Sequence, residues 1–233
     1  MNSRDVIYRS SSTANAYPLS IQYKWIGYQD VVFEPDYIES LCKKGCRNYG
    51  HSGGCPPFSP KFNRFANDDK QYLLIITKFD SKYKTVKVKA SKNRAIHWKF
   101  QDVIVAHFLD KIGRAIQTHF PRTIYLGTGY CMGCPGKKCS YKLQEPCRNP
   151  KQRTFSMEST GINVVKTVQN TMHETFYWYT KSNHEVPYLM KAILLVFPNA
   201  QDRGEADLFL AGLLTMYYET TDTSVEPLSY THR

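Results

Sequence analysis

Tyr72-Leu73-Leu74-Ile75-Ile76-Thr77 is a continuous apolar run closed by a β-branched residue, the mark of a strand covered on both faces. The chain around it is therefore read for what does the covering. Downstream, Ile96, Phe100, Ile104, Phe108, Ile112 and Ile116 recur between Asn93 and Phe120, and Val103, Leu109 and Ala115 widen the stripe. That spacing predicts one long amphipathic helix, ended by Pro121. Thr123 to Leu126 reads as a short strand, Ser156 to Ser159 as a capped helical turn, and Asn163 as the cap of a helix running to Val168. Tyr188 to Phe197 reads as a strand and Asp207 to Tyr217 as a C-terminal helix.

Upstream, Ile21 to Phe33 alternates loosely and predicts one or two strands. Glu34-Pro35-Asp36 opens a helix, because proline suits a first turn and acids suit its positive end. Tyr37, Ile38 and Leu41 supply its apolar face, Cys42 arrives at its C-terminal end, and Gly45 stops it. Strands alternating with helices give an α/β class, or a mixed α+β variant, with a central sheet flanked by helices and cysteine-rich loops. No repeat or long linker divides the chain. Residues 1–200 are read as one domain, and 201–233 as an acidic helix and tail packed on it.

The 233 residues are 42% hydrophobic, enough for an ordinary core without disulfides. Met1 to Thr13 is polar and Ser-rich, lacking the apolar region of about 7–15 residues that a secretory signal carries. No apolar stretch approaches the roughly 18 residues of a membrane span, so the expectation is a soluble protein of the reducing cytoplasm. The net charge of +11 is uneven: residues 201–233 carry six acids and two bases, leaving 29 bases against 14 acids in the body. Such a body attracts polyanions or an acidic partner. Between Lys78 and Lys99 stand eight basic residues and one acid, interleaved with Phe79, Tyr83 and Trp98. This stretch is either a nucleic-acid surface or a solvated lysine-rich edge.

All seven cysteines fall in two groups. Cys131, Cys134, Cys139 and Cys147 follow the pattern Cys-x2-Cys-x4-Cys-x7-Cys within 17 residues, enough for a four-cysteine zinc site or a complete iron–sulfur cluster. Cys42, Cys46 and Cys55 follow Cys-x3-Cys-x8-Cys and leave a fourth coordination position open. His51 completes it in a zinc reading. In an iron–sulfur reading the fourth iron is open to water or substrate. Cys-Pro junctions and unequal spacings favour iron–sulfur, with a [4Fe-4S] cluster expected and zinc as the alternative. Inert or disulfide-bonded thiols fit poorly with an odd count crowded into Gly/Pro-rich loops. Ligands from the two groups can also mix around one site.

Around the ligands, Tyr49 and His51 are placed by their loop for ligation or for contact with ligands. Lys137, Lys138 and Arg148 compensate thiolate charge or contact an anionic substrate or partner. Glu158 is read as capping chemistry rather than as a proton donor. His97, His107 and His119, on the long helix, are read as surface or boundary residues. Cys131 to Lys138 fails as a phosphate loop, since Cys131 stands for its first glycine and Lys138 for its Ser or Thr.

Taken in order, Cys42-x3-Cys46-Arg-Asn-Tyr-Gly, Cys55-Pro-Pro, Cys131-x2-Cys134-x4-Cys139, Pro146-Cys147-Arg148-x-Pro150 and Ser156-Met-Glu-x2-Gly161-Ile-x-Val164 resemble the predicted metal-binding proteins of domain of unknown function 2284, over about Val31 to Phe197. The resemblance implies a metal and specifies no reaction. The first expectation is a cytoplasmic iron–sulfur protein with one fully ligated cluster and a second, open one. An open iron favours an enzyme over a passive carrier, while whether the chain is an enzyme, and on what substrate, is not legible. A zinc-structured module with a basic nucleic-acid-binding face and an electron-transfer subunit with a redox partner are the competing expectations.

Overall fold

A computed structural model describes residues 1–10, 15–134, 139–181, 183 and 185–218. In chain order its elements are β1 (Asn2–Arg9), β2 (Ala16–Ile26), α1 (Pro35–Lys43), β3 (Gln71–Asp80), α2 (Val86–Lys89), α3 (Arg94–His119), β4 (Ile124–Gly127), β5 (Phe155–Ser156), α4 (Val164–Met172), β6 (Tyr188–Phe197) and α5 (Asp202–Tyr218). The six strands form one sheet in the order β1-β2-β3-β6-β4-β5. Neighbours from β1 to β4 are antiparallel, and β4 with β5 is the one parallel pair. The fold is therefore mixed α+β, the second of the two classes expected.

The apolar run Tyr72 to Thr77 lies in β3, at the centre of this sheet. β3 pairs on one side with β2 and on the other along its full length with β6, from Gln71 opposite Phe197 to Asp80 opposite Tyr188. Period-two alternation sends Leu73, Ile75 and Phe79 to one face and Tyr72, Leu74 and Ile76 to the other. β6 answers with Ile193, Leu195 and Phe197 on the first face and Ala192, Leu194 and Val196 on the second. Each such aliphatic side chain contributes about 1.5–3 kcal/mol when fully buried.

The first face is covered by α3 and α5. From α3 come Ile104, Phe108, Ile112 and Ile116, and from α5 Ala206, Leu210 and Leu214, as buried residues. Gly113 lies against Tyr125 of β4, where a Cβ would stand 2.2 Å from the ring. Glycine there lets the long helix settle on the sheet. The second face is covered by α4, through Val164, Val168 and Met172, together with Phe62, Met157 and Ile162.

Several local expectations change. Asn2–Arg9, read as a polar N-terminus, is an edge strand that buries Val6 and Tyr8. Of the three apolar residues on α1, Ile38 alone is buried, while Tyr37 and Leu41 face outward. His97 is buried rather than peripheral: its Nε2 lies 2.7 Å from the Ser91 carbonyl and its Nδ1 3.3 Å from Lys84 Nζ. A ring N–H on Nε2 donates to that carbonyl and leaves Nδ1 to accept from the lysine. The lysine-rich stretch folds into the end of β3, a 3-10 turn at Ser81–Tyr83, α2 and the start of α3. α5 begins at Asp202, five residues before the expected start; the chain after 218 lies outside the described residues.

Candidate metal centre

The first cysteine loop is built as a chain of tight turns leaving α1. Cys42 sits in the last turn of the helix, and Gly45, at φ +149°, takes the chain out of it. Backbone N–H groups then donate from Cys46 to Cys42, Tyr49 to Cys46, His51 to Asn48, Cys55 to Ser52 and Phe58 to Cys55. With its backbone satisfied in this way, the segment from Ser52 to Pro56 is buried although it has no regular structure. Burial differs among the three thiols: Cys42 is partly buried, Cys46 exposed and Cys55 only 4% exposed.

The second loop meets the first at Gly53 and Gly54. Gly53 N–H points at Cys139 Sγ from 3.5 Å. A Cβ on Gly54 would stand 2.4 Å from the Thr154 carbonyl oxygen and 2.7 Å from Cys131 Cβ, so this approach excludes any larger residue. Cys131 Sγ accepts from Gly133 N–H and Thr154 N–H, both at 3.4 Å. Asn149 Nδ2 donates to the Gly133 carbonyl at 3.0 Å and to Cys134 Sγ at 3.5 Å, which holds the chain beside Cys147 against Cys134. The two groups, 76 positions apart from Cys55 to Cys131 in sequence, thus occupy one end of the molecule.

Arg153 ties the loops together. Its guanidinium donates from Nε to the Gly53 carbonyl and from Nη2 to the Phe58 carbonyl, each at 2.7 Å, and lies over the rings of Tyr141 and Phe155. Tyr141 in turn packs on Phe58, with ring centroids 4.6 Å apart. Neither Arg153 nor Tyr141 stands out in the sequence, since each lies outside the cysteine spacings.

The residues singled out beside the cysteines divide. Tyr49 donates to Glu39 Oε1 at 3.4 Å, within a cluster in which Lys61 and Lys43 pair with the same carboxylate at 2.6 and 3.2 Å. His51 is exposed. Arg148 is exposed and faces Glu145 at 3.9 Å. Lys137 and Lys138 lie outside the described residues.

Electrostatics follow from burial and crowding. Burial pushes the Cys55 thiol up to about 11; a Ser52 hydrogen bond opposes this, and neighbouring Cys46, Cys42 and Cys131 reinforce it. Burial also raises Cys42, with Cys46, Glu158 and Glu39 adding to the rise and Lys61 opposing it. Thiols that are reluctant to ionise alone become ligands when a cation takes the place of their protons.

Among the described residues, no three Cys, His, Asp or Glu side chains converge as a ready metal cage. The donor set nonetheless fits a metal or cluster. Sulfur is the ligand atom, N–H groups are directed at it, and two buried oxygens at this end of the molecule, Glu158 Oε2 and Ser140 Oγ, have no hydrogen-bond partner. Gln22, Thr77, Thr123 and Asn199 carry such atoms elsewhere; Glu158 Oε2 and Ser140 Oγ are the ones placed to be completed by a group bound beside the cysteine loops.

The class defined by this fold is a mixed α+β protein in which two cysteine-rich loops meet at Gly53 and Gly54. The chain belongs to the family described as predicted metal-binding protein (DUF2284), whose model matches residues 24–195. No curated protein and no solved structure matches the chain. Among the described residues no helix is long and apolar enough to cross a membrane.

Proposed function

We propose that the chain is an iron–sulfur protein in which Cys131, Cys134, Cys139 and Cys147 hold one cluster, and Cys42, Cys46 and Cys55 hold a second whose fourth metal position no cysteine of that group fills. The observation that carries this reading is the meeting of the two cysteine loops at Gly53 and Gly54, with the N–H groups of Gly53, Gly133 and Thr154 directed at sulfur. When bound, such clusters supply electron transfer, and Lewis acidity at an iron that is not fully protein-ligated.

The chain's own residues have defined parts. The N–H donors spread charge away from sulfur and favour the reduced state. Arg153 fixes the spacing of the loops through two carbonyls. The buried segment from Ser52 to Pro56 excludes water from one side of Cys55. The incomplete first site favours an enzyme over a passive carrier, and the basic body favours a small anionic substrate or an acidic redox partner.

Protein purified without oxygen is expected to be brown, with broad visible absorption that bleaches on chemical reduction. Cys139→Ser is expected to remove part of that absorption and Cys42→Ser another part. Colourless protein with bound zinc, unaffected by reductant, overturns the reading.

A further inference from the structure

Resting on the reading of Cys42, Cys46 and Cys55 as metal ligands, we propose that Glu158 is the fourth ligand of that site, giving a three-cysteine, one-carboxylate centre. Glu158 Oε2 is the one carboxylate oxygen among the described residues that is buried without a hydrogen-bond partner. Burying such an atom unsatisfied costs free energy, and a bound cation removes the cost.

The placement of Glu158 is rigid. It opens the turn Glu158–Thr160, in which Ser159 N–H donates to Ser156 Oγ, Ser159 Oγ to the Ser156 carbonyl, and Thr160 Oγ1 to the Met157 carbonyl. The turn is fastened to both arms of the first cysteine loop. Ser59 Oγ, four positions after Cys55, donates to the Ser159 carbonyl at 2.6 Å. On the other side Glu34 N–H donates to the Gly161 carbonyl at 2.9 Å, which holds the start of α1 against the same turn. A Cβ on Gly161 would meet Pro35 and Phe33 at 2.9 Å, so the two segments touch. Glu158 is accordingly one of the charges felt at Cys42.

The cations nearby are already committed. Lys61 and Lys43 both pair with Glu39. Cys42 thus lies among the negative groups Cys46, Glu158 and Glu39, with Lys61 opposing them while paired to Glu39, and a bound metal ion would supply the positive charge that draws the three thiolates and the Glu158 carboxylate together. A carboxylate is a harder and more exchangeable ligand than thiolate. It holds the fourth position at rest and yields it to an incoming oxygen- or sulfur-donor ligand.

The test uses the full chain, isolated without oxygen, as wild type, Glu158→Ala and Glu158→Cys. Bound metal, its loss to EDTA and the metal X-ray absorption spectrum are measured. Glu158→Ala is expected to lose the metal of the first site at least about tenfold faster, and to lose one oxygen neighbour from the spectrum. Glu158→Cys is expected to restore retention with sulfur replacing oxygen. In the presence of chelator, Glu158→Ala should melt no lower than wild type, since it deletes an unsatisfied atom; this separates loss of a ligand from loss of the fold. Metal-bearing wild type with variants identical to it in retention and spectrum overturns this inference alone. Wild type that carries no metal removes the cysteine reading as well.

Discussion

At the scale of single residues, the meeting of the cysteine loops depends on groups the ligand pattern does not contain. Gly54 is needed for lack of a side chain: any Cβ would strike a backbone carbonyl at 2.4 Å, and a carbonyl cannot rotate aside as a side chain tip can. Gly54→Ala should therefore destabilise the protein by about 1–3 kcal/mol and lower metal content through displacement of Cys131. Denaturant titration and metal assay of the same preparation check both. The cysteines were legible because their spacing carries chemistry in sequence alone. Arg153 was not, because its function lies in reaching the carbonyls of Gly53 and Phe58 from 100 and 95 positions away. His51 and Tyr49 illustrate the converse. A short loop places both near the cysteines, yet His51 is exposed and the Tyr49 hydroxyl donates to Glu39.

At the scale of elements, α1 and α4 are clamped end to end. Glu34, which precedes α1, accepts from Lys166 Nζ at 2.6 Å and from Asn163 Nδ2 at 2.7 Å, and Asn163 itself caps α4 through Lys166 N–H. The Lys166 and Asn163 hydrogen bonds hold the Glu34 carboxyl below its ordinary value of 4.5. A depressed folded pKa stabilises above the unfolded value, and that contribution is lost as pH falls below 4.5 through the folded pKa. Thermal melts of Glu34→Gln should accordingly match acidified wild type, and should lose less stability than wild type on acidification below 4.5. Elsewhere, α3 lies on β4 through Gly113, and Gly113→Ala should cost about 1–3 kcal/mol because Tyr125 is enclosed and its hydroxyl is held by Asp110. A shift in denaturation midpoint measures it. The long helix and the central strand were legible because each repeats its apolar signal over many residues. β1 was not, because its first four residues are polar and exposed, Val6 and Tyr8 are its two buried residues, and an edge strand buries little.

At the scale of the whole molecule, the cysteine loops gather beside β5, where Thr154 N–H reaches Cys131 Sγ, and basic side chains lie elsewhere on the fold. The basic stretch from Lys78 to Lys99 is dispersed by folding. Lys78 pairs with Glu174 at 2.5 Å, Lys82 with Asp80 at 3.3 Å, and Lys84 is buried beside His97 and over the ring of Tyr179. Lys87, Lys89, Lys92 and Lys99 remain exposed. Pairing of Lys78 was not legible in sequence, because its partner Glu174 is distant in the chain. Lys84→Glu should thus act on stability, bringing a carboxylate into a buried site where burial already disfavours charge and the His97 contact needs a donor, while Lys87→Glu should leave the melting temperature nearly unchanged. Calorimetry of both variants distinguishes these outcomes. Strand order was equally hidden, since β6 joins β3 across 107 intervening residues. In the proposed centre the two cysteine loops hold iron and sulfide together. Iron and acid-labile sulfide assayed on the full chain, purified without oxygen, should appear in near-equal amounts, at several atoms of each per chain. Protein with zinc and no sulfide, or with no metal at all, would contradict it.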